Sequence, residues 1–416
     1  MPHQGKDNSP VASDTLRRSV SLPLITLYGL GTTIGAGIYV LIGATAAHAG
    51  LYAPLAFIIS AIVISFSAAC FAELSGRFPV SAGEAAYVRA AFGPGLFPLV
   101  IGLLVAASGI VSSATLVQGG AGYLISLLDL PQTVYLLFLP PLLGAIAMWG
   151  ITESLSAAAF LTLIEVGGLL FVIAGGGGSA IERLSDPALT VPPFDADAMS
   201  GIVAAGLLAF FAFIGFEDIV NLAEEVKNPK KTIPWAIGLT LLLTTILYVL
   251  VSSIAVLTVP LQELADAPAP LSLVLERSAG ISGTTIAIIA VAAVLNGVLI
   301  QMVMAARVLY GLARMGNLPA SLSTINPVTH TPVRASLLVI TIIMILALSV
   351  PLNQLATLTS VLILIVFSLV NLALWRIKKR DPAPLEGFSV PTWLPLAGFI
   401  ISTGFLFADL IRRIVY

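Results

Sequence analysis

The chain has 416 residues, of which 58% are hydrophobic and only 10% charged, with a formal net charge of −2. A soluble chain of this length carries roughly a quarter charged residues to cover its surface, so the solvent here is lipid. The balance of 19 Lys and Arg against 21 Asp and Glu excludes a nucleic-acid footprint, which needs a clustered basic face. A single cysteine, Cys70, cannot form an internal disulfide, and His3, His48 and His330 lack metal-ligand spacing, so neither metal nor cofactor is expected.

Residues 1–19 are polar and read as a cytoplasmic tail, because the apolar run that follows is too long for a signal peptide and has no cleavage site. Crossing the hydrocarbon takes roughly 20 apolar residues at about 1.5 Å each. Eleven stretches qualify, at about 22–47, 51–75, 97–127, 132–149, 156–178, 200–223, 233–259, 281–312, 334–350, 353–375 and 391–411. With the N-terminus inside, Lys6, Arg17, Arg18, Arg77, Arg89, Lys227, Lys230, Lys231, Arg307, Arg314, Arg334, Arg376, Lys378, Lys379 and Arg380 all fall on the cytoplasmic side. Only Arg183 and Arg277 fall in outer loops, the asymmetry the positive-inside rule requires. Arg412 and Arg413 break the pattern: either they snorkel to the interface or the span count is off by one. The outer loop 179–199, with Asp186, Asp195, Asp197 and several prolines, is expected to be irregular.

Two spans carry breaks. The first contains Gly29-Leu-Gly-Thr-Thr-Ile-Gly-Ala-Gly-Ile38, and glycine in that density either permits tight helix packing or interrupts the helix. The sixth carries Phe210-Phe-Ala-Phe-Ile-Gly-Phe-Glu-Asp218, aromatics around one glycine followed by two carboxylates. Interrupted segments at corresponding places in two halves point to a midplane binding site in a secondary transporter. Spans one to five and six to ten then form two repeats, an odd number of spans each, so they face opposite ways. The expected divisions are a tail 1–19, a first repeat 20–178, an outer loop 179–199, a second repeat 200–380 and an accessory eleventh helix in 381–416. A break frees N–H groups at a half-helix N-terminus for a carboxylate and carbonyls for an ammonium, and a zwitterionic amino acid needs both.

The Ile34-Gly-Ala-Gly-Ile core, Phe71-Ala-Glu-Leu, Phe78-Pro-Val-Ser-Ala-Gly-Glu-Ala-Ala-Tyr87, Phe211-Ala-Phe-Ile-Gly-Phe-Glu217 and Ala223-Glu-Glu-Val-Lys-Asn-Pro229 together resemble the amino acid, polyamine and organocation (APC) superfamily. The likeness is greatest to its bacterial permeases of the cationic-amino-acid-transporter type. It implies an all-α integral membrane protein with a LeuT-type 5+5 inverted repeat and about 11 transmembrane helices, working by alternating access in the cell membrane. It also implies a substrate carboxylate held by backbone at Ala36 and Gly37, and an amino group meeting carbonyls near Ile34 and at Phe211, Ala212 and Ile214. Phe211 falls where related permeases place an aromatic gate. Asn296 either lines the side-chain pocket or bonds a neighbouring helix. The loop Glu224-Glu225-Val-Lys227 is assigned to gating and topology rather than to substrate contact.

Glu165 stands inside span five, where an ionised carboxylate costs roughly 3 kcal/mol, so it is expected to be protonated, paired or wet. In related permeases the matching position carries a lysine whose ammonium replaces sodium. A protonated Glu165 donates the hydrogen bond that ammonium would supply and makes a proton the coupling ion, whereas an ionised one offers oxygen to sodium. Glu217 is a rival proton site, and Asp218 reads as solvated. With no acidic residue in the proposed pocket except Glu165, a neutral or small amino acid is preferred over a basic one, with an amine left open. A non-transporting sensor of the same fold is the alternative. A channel lacks its filter motif, and an enzyme lacks any His or Cys at catalytic spacing with a carboxylate.

Overall fold

The computed structural model describes residues 18–35, 37–79, 83–149, 155–223, 225–329, 331–382 and 387–415. Ala36, Glu224, His3, His330, Lys6 and Arg17 lie outside them. The described residues are helical, joined by turns, with one isolated parallel bridge between Val20 and Val226. In a medium that cannot hydrogen-bond exposed backbone, this is one of the two permitted solutions.

Span one is a broken pair, α1 (Leu22–Ile34) and α2 (Gly37–Ala49), followed by α3 (Ala53–Arg77). An amphipathic helix, α4 (Gly83–Phe92), precedes α5 (Leu96–Leu127), α6 (Gln132–Trp149) and α7 (Leu155–Leu184). Span six is α8 (Ala196–Ala212) and a 3₁₀ segment (Phe216–Leu222), and span seven is α9 (Pro229–Thr258). Short helices α10 (Leu261–Asp266) and α11 (Pro270–Ala279) then lead to α12 (Thr284–Arg314), α13 (Val333–Ser349), α14 (Leu352–Arg380) and α15 (Trp393–Val415). Nine runs of described residues are long and apolar enough to cross a membrane, one of them Gly37–Arg77 continuous through α2 and α3; Leu22–Ile34 and Val333–Ser349 are shorter apolar helices. All eleven expected spans are therefore helical. Lipid-facing side chains stay exposed and apolar, as at Leu163, Phe160 and Trp235.

Three helices, α4, α10 and α11, were not expected, because their mixed composition falls below a spanning signal. The last two tuck over the core: a Cβ on Gly43 or Gly122 would meet the carbonyls of Leu264 and Pro268 respectively, so α2 and α5 need glycine where the connection crosses them. The loop expected at 179–199 is shorter than thought. Helix α7 runs on to Leu184, and Asp195 caps α8 by accepting from the Ala198 N–H at 2.9 Å. Arg412 and Arg413 lie within α15 and both pair with Asp409, at 2.9 Å and 2.7 Å, one turn earlier.

At the basic end of the bundle, Glu73 on α3 is fully buried and accepts from Lys378 on α14 at 2.8 Å through both oxygens, from Arg77 at 2.9 Å and from the Val390 N–H at 2.8 Å. Arg77 also donates to the carbonyls of Asp381 and Pro382, tying α3 to the α14–α15 connection. Removing one member of a buried, fully bonded ion cluster costs about 3–5 kcal/mol because a charge is left without its partner. Lys378→Met is accordingly expected to lower the midpoint of thermal unfolding in detergent, and Glu73→Gln combined with Lys378→Met to recover part of the loss. Equal stability of Lys378→Met and wild type would contradict this.

Candidate substrate site at the broken helices

Both breaks turn on a single glycine. Gly35, closing α1, has φ +28°, and Gly215, just past α8, has φ +125°, values that a side chain strongly disfavours. The two breaks are stitched together. Thr32 Oγ1 donates to the Gly215 carbonyl at 2.9 Å, and a Cβ on Gly215 would collide with the Thr32 carbonyl. Tyr248, buried on α9, reaches both helix ends at once: its hydroxyl lies 3.0 Å from the Thr33 carbonyl and 2.7 Å from that of Ala212, with the Ile34 carbonyl at 3.4 Å. The Glu217 carboxylate accepts from the freed Gly215 N–H at 2.8 Å, covering a backbone donor that the break exposes.

A cavity of about 30 Å³ lies between the breaks, walled by Gly31, Thr32, Thr33, Gly35 and Gly37 from span one and by Phe211, Ile214 and Asp218 from span six. Ser112 and Leu116 of α5 and Gly297, Ile300 and Gln301 of α12 close it. It continues into a vestibule of about 1580 Å³, with Ser112, Ile214, Asp218, Ile300 and Gln301 lining both, which reaches the end of the bundle that carries Arg89 and Arg307.

Of the residues expected to contact substrate, Gly37, Phe211 and Ile214 line this cavity. Phe210 and Phe213 point away, against Phe367 and Tyr248. The carbonyls of Ile34 and Ala212 are directed at Tyr248, and Ala36 lies outside the described residues. Asn296 is buried and is not among the α12 residues that wall the cavity, which are Gly297, Ile300 and Gln301, although Ile300 lies one turn on from it. Asp218 is a correction of a different kind. Read as solvated, it is half-exposed and lines both the cavity and the open vestibule, in the 3₁₀ segment after Gly215.

Glu165 is 2% exposed while Leu163 and Ile164 on the same helix face outward, so it points into the protein and not at lipid. One turn before it, Thr162 packs on Gly31, which fixes the Glu165 turn against broken α1. The Tyr39 hydroxyl donates to the Glu165 main-chain carbonyl at 2.7 Å, and Tyr123 donates to the Tyr39 carbonyl at 2.7 Å. The sequence reading missed these tyrosines. The available signal was a phenol in mid-span, which when buried needs a hydrogen-bond partner.

Glu84 on α4 also lines the vestibule, together with Glu217 and Asp218. Helix α4 lies outside the membrane-crossing runs, and burial pushes the Glu84 carboxyl above the ordinary carboxylate range. An unfolded Glu titrates near 4.3. The native state therefore holds its Glu84 proton to higher pH than the unfolded chain does, and its stability falls as pH rises from about 4.3 through the raised native value. Thermal unfolding of wild type against Glu84→Gln is expected to show a decline with rising pH that the variant lacks. Among the described residues no cluster of three or more His, Cys, Asp or Glu could hold a metal ion.

An all-α membrane bundle whose first and sixth spans break at one shared cavity defines the LeuT-type class of transporter folds. The family model described as amino acid permease matches residues 22–412, and the chain belongs to that family. It is similar to a vacuolar cationic amino acid transporter 2 of Arabidopsis thaliana, 33% identical over 88% of this chain and 61% of the relative. A branched-chain amino acid permease of Bacillus subtilis is 31% identical over 91% of this chain and 84% of its own length, and a methylthioribose transporter of that organism is 28% identical over 94% and 87%. The chain thus spans about three-fifths of the plant relative and most of the bacterial ones. Among solved structures, a sodium-coupled sialic acid symporter superposes with a TM-score of 0.59 over 97% of this chain and 92% of that one, at 13% identity, a likeness of fold alone. These relatives are transporters, and the chain is accordingly not an enzyme.

Proposed function

We propose that this chain is a secondary active transporter that carries amino acids across the cell membrane by alternating access, driven by a proton held at Glu165. The observation that carries the reading is the single cavity walled by both breaks and continuous with one vestibule. The repeats are 20–178 and 200–380, the N-terminus is cytoplasmic, and by the basic bias of Arg89, Arg307 and Arg314 the vestibule opens inward. The substrate carboxylate sits at the N-terminus of α2, at Ala36 and Gly37, where the macrodipole favours an anion. Its ammonium meets the carbonyls of Ile34, Phe211, Ala212 and Ile214, with Tyr248 yielding the two it engages in this conformation, and Phe211 closes over the cavity. Glu217 holds the span-six break.

Asp218 in the cavity wall, beside Gln301 and Ser112, reverses the preference for a neutral substrate. A carboxylate facing a substrate's side chain favours one that brings a cation, so basic amino acids are the proposed class, in keeping with the name of the plant relative. The test is uptake of a radiolabelled amino-acid panel into proteoliposomes under imposed pH and sodium gradients, wild type against Glu165→Gln. Proton-driven uptake lost in the variant is expected. Sodium-driven uptake in both, or no flux of any amino acid, would sink the proposal.

A further inference from the structure

Four buried hydroxyls between α1 and α9 have no hydrogen-bond partner: Thr26 and Thr33 on α1, Thr240 and Thr244 on α9. Each is at least nine-tenths buried. An orphaned buried hydroxyl costs about 1–3 kcal/mol, and threonine can ordinarily relieve it by bonding the carbonyl one turn back, as Thr45, Thr162 and Thr359 do here. Four together on one interface therefore ask for a common explanation.

Their placement is linear. Thr26, Gly29 and Thr33 follow one another at i, i+3, i+7 on one face of α1; Thr240, Thr244 and Tyr248 follow at i, i+4, i+8 on one face of α9. The two faces meet where Gly29 leaves room for the Thr240 hydroxyl, a Cβ there coming within 2.7 Å of Thr240 Oγ1. At the far end Tyr248 bonds the Thr33 carbonyl at 3.0 Å, two residues on from Gly31, against which Thr162 of the Glu165 turn packs. The row on α9 covers about 12 Å by helical rise. Tyr39 on α2 donates to the Glu165 main-chain carbonyl at 2.7 Å.

The geometry points to a hydrated seam, lined by Thr26, Thr240, Thr244 and Thr33 and ending at Tyr248, through which Glu165 exchanges its proton with the inner end of the bundle. It rests on the reading of Glu165 as the proton site. Buried waters usually make about three hydrogen bonds, and unsatisfied hydroxyls on two facing helices supply such partners. A proton leaves the Glu165 carboxyl for the first water, each hydroxyl accepts one proton and passes its own onward, and one proton emerges at the Thr26 end. Thr33 is shared with the substrate cavity, whereas Thr26, Thr240 and Thr244 line neither it nor the vestibule, so the proton and the amino acid part beyond Thr33.

The test compares wild type, Thr240→Val with Thr244→Val, the same pair to Ser, Thr26→Val and Glu165→Gln in proteoliposomes, reading pH-driven uptake, dye-reported proton flux and substrate counterflow. The valine pair is expected to slow proton-driven uptake and proton flux by about tenfold or more, as loss of a relay step does, with counterflow within about twofold of wild type. Serine restores both rates, and Thr26→Val reproduces the valine defect from the facing helix. A purely structural interface predicts the opposite: removing orphan hydroxyls raises thermal stability and leaves uptake unchanged, and that result overturns the seam. If Glu165→Gln loses proton coupling while both valine variants keep it, the seam alone fails; if Glu165→Gln keeps coupling, the assignment of the proton site fails first.

Discussion

Gly37→Val abolishes transport while leaving the protein folded. The Cβ that any substitution adds at Gly37 would stand 2.7 Å from the Ala212 Cα and 3.1 Å from its Cβ. The first of these is a backbone atom at the end of α8, and no side chain can rotate away to make room. The start of α2 and the end of α8 must then separate, and those two ends frame the cavity. Overpacking of this kind costs about 1–3 kcal/mol, which a bundle of this size survives. The geometry of the site does not survive it, because a displacement of about 1 Å at a binding centre costs roughly a hundredfold in rate. Uptake is expected to fall by that factor or more, with elution on gel filtration unchanged. Gly238→Ala on α9, whose Cβ would meet nothing within 4 Å, serves as the control and should transport normally. Wild-type uptake by Gly37→Val would remove Gly37 from the site.

That contrast explains how far the glycines could be read from sequence. Gly29, Gly31, Gly35 and Gly37 lie close together in one apolar span, and they do three different things. Gly29 and Gly31 sit inside a continuous helix and admit Ile219, Thr240 and Thr162 from its neighbours; Gly35 makes the break; Gly37 admits Ala212. Composition announces a weak or crowded helix without distinguishing these roles, since close packing and a positive φ both select glycine. The pairing of span one with span six resolved the ambiguity correctly at the level of the fold, because inverted repeats place their breaks at matching positions. It did not reach the side chains that join the breaks. Tyr248 is more than 200 residues from Thr33 in sequence, and Lys378 more than 300 from Glu73, so neither contact leaves a local periodicity. Glu165 was legible for the converse reason: a carboxylate at membrane depth is conspicuous in one dimension.

Glu217 and Asp218 show where periodicity misleads, and the second large effect follows from them. Adjacent acids on an α-helix would diverge by 100°, but the chain past Gly215 is 3₁₀, and the two part company differently. Glu217 turns back to cap the Gly215 N–H, and Asp218 faces the cavity with Thr32, Phe211 and Gln301. Asp218→Asn keeps the shape and the hydrogen-bonding capacity of that wall and removes only its charge. A basic substrate then enters with its side-chain cation unpaired, and truncating one partner of such a pair costs about 2–5 kcal/mol, at 1.4 kcal/mol per tenfold. Lysine and arginine uptake is expected to fall at least about thirtyfold on this scale, while alanine or leucine uptake stays within about twofold, since their contacts to Gly37 and the freed carbonyls are untouched. The asymmetry between substrates is the diagnostic quantity. A uniform loss across the panel would make Asp218 a structural support of the 3₁₀ turn, and an unchanged ratio of basic to neutral uptake would return the substrate to the neutral class that the sequence favoured.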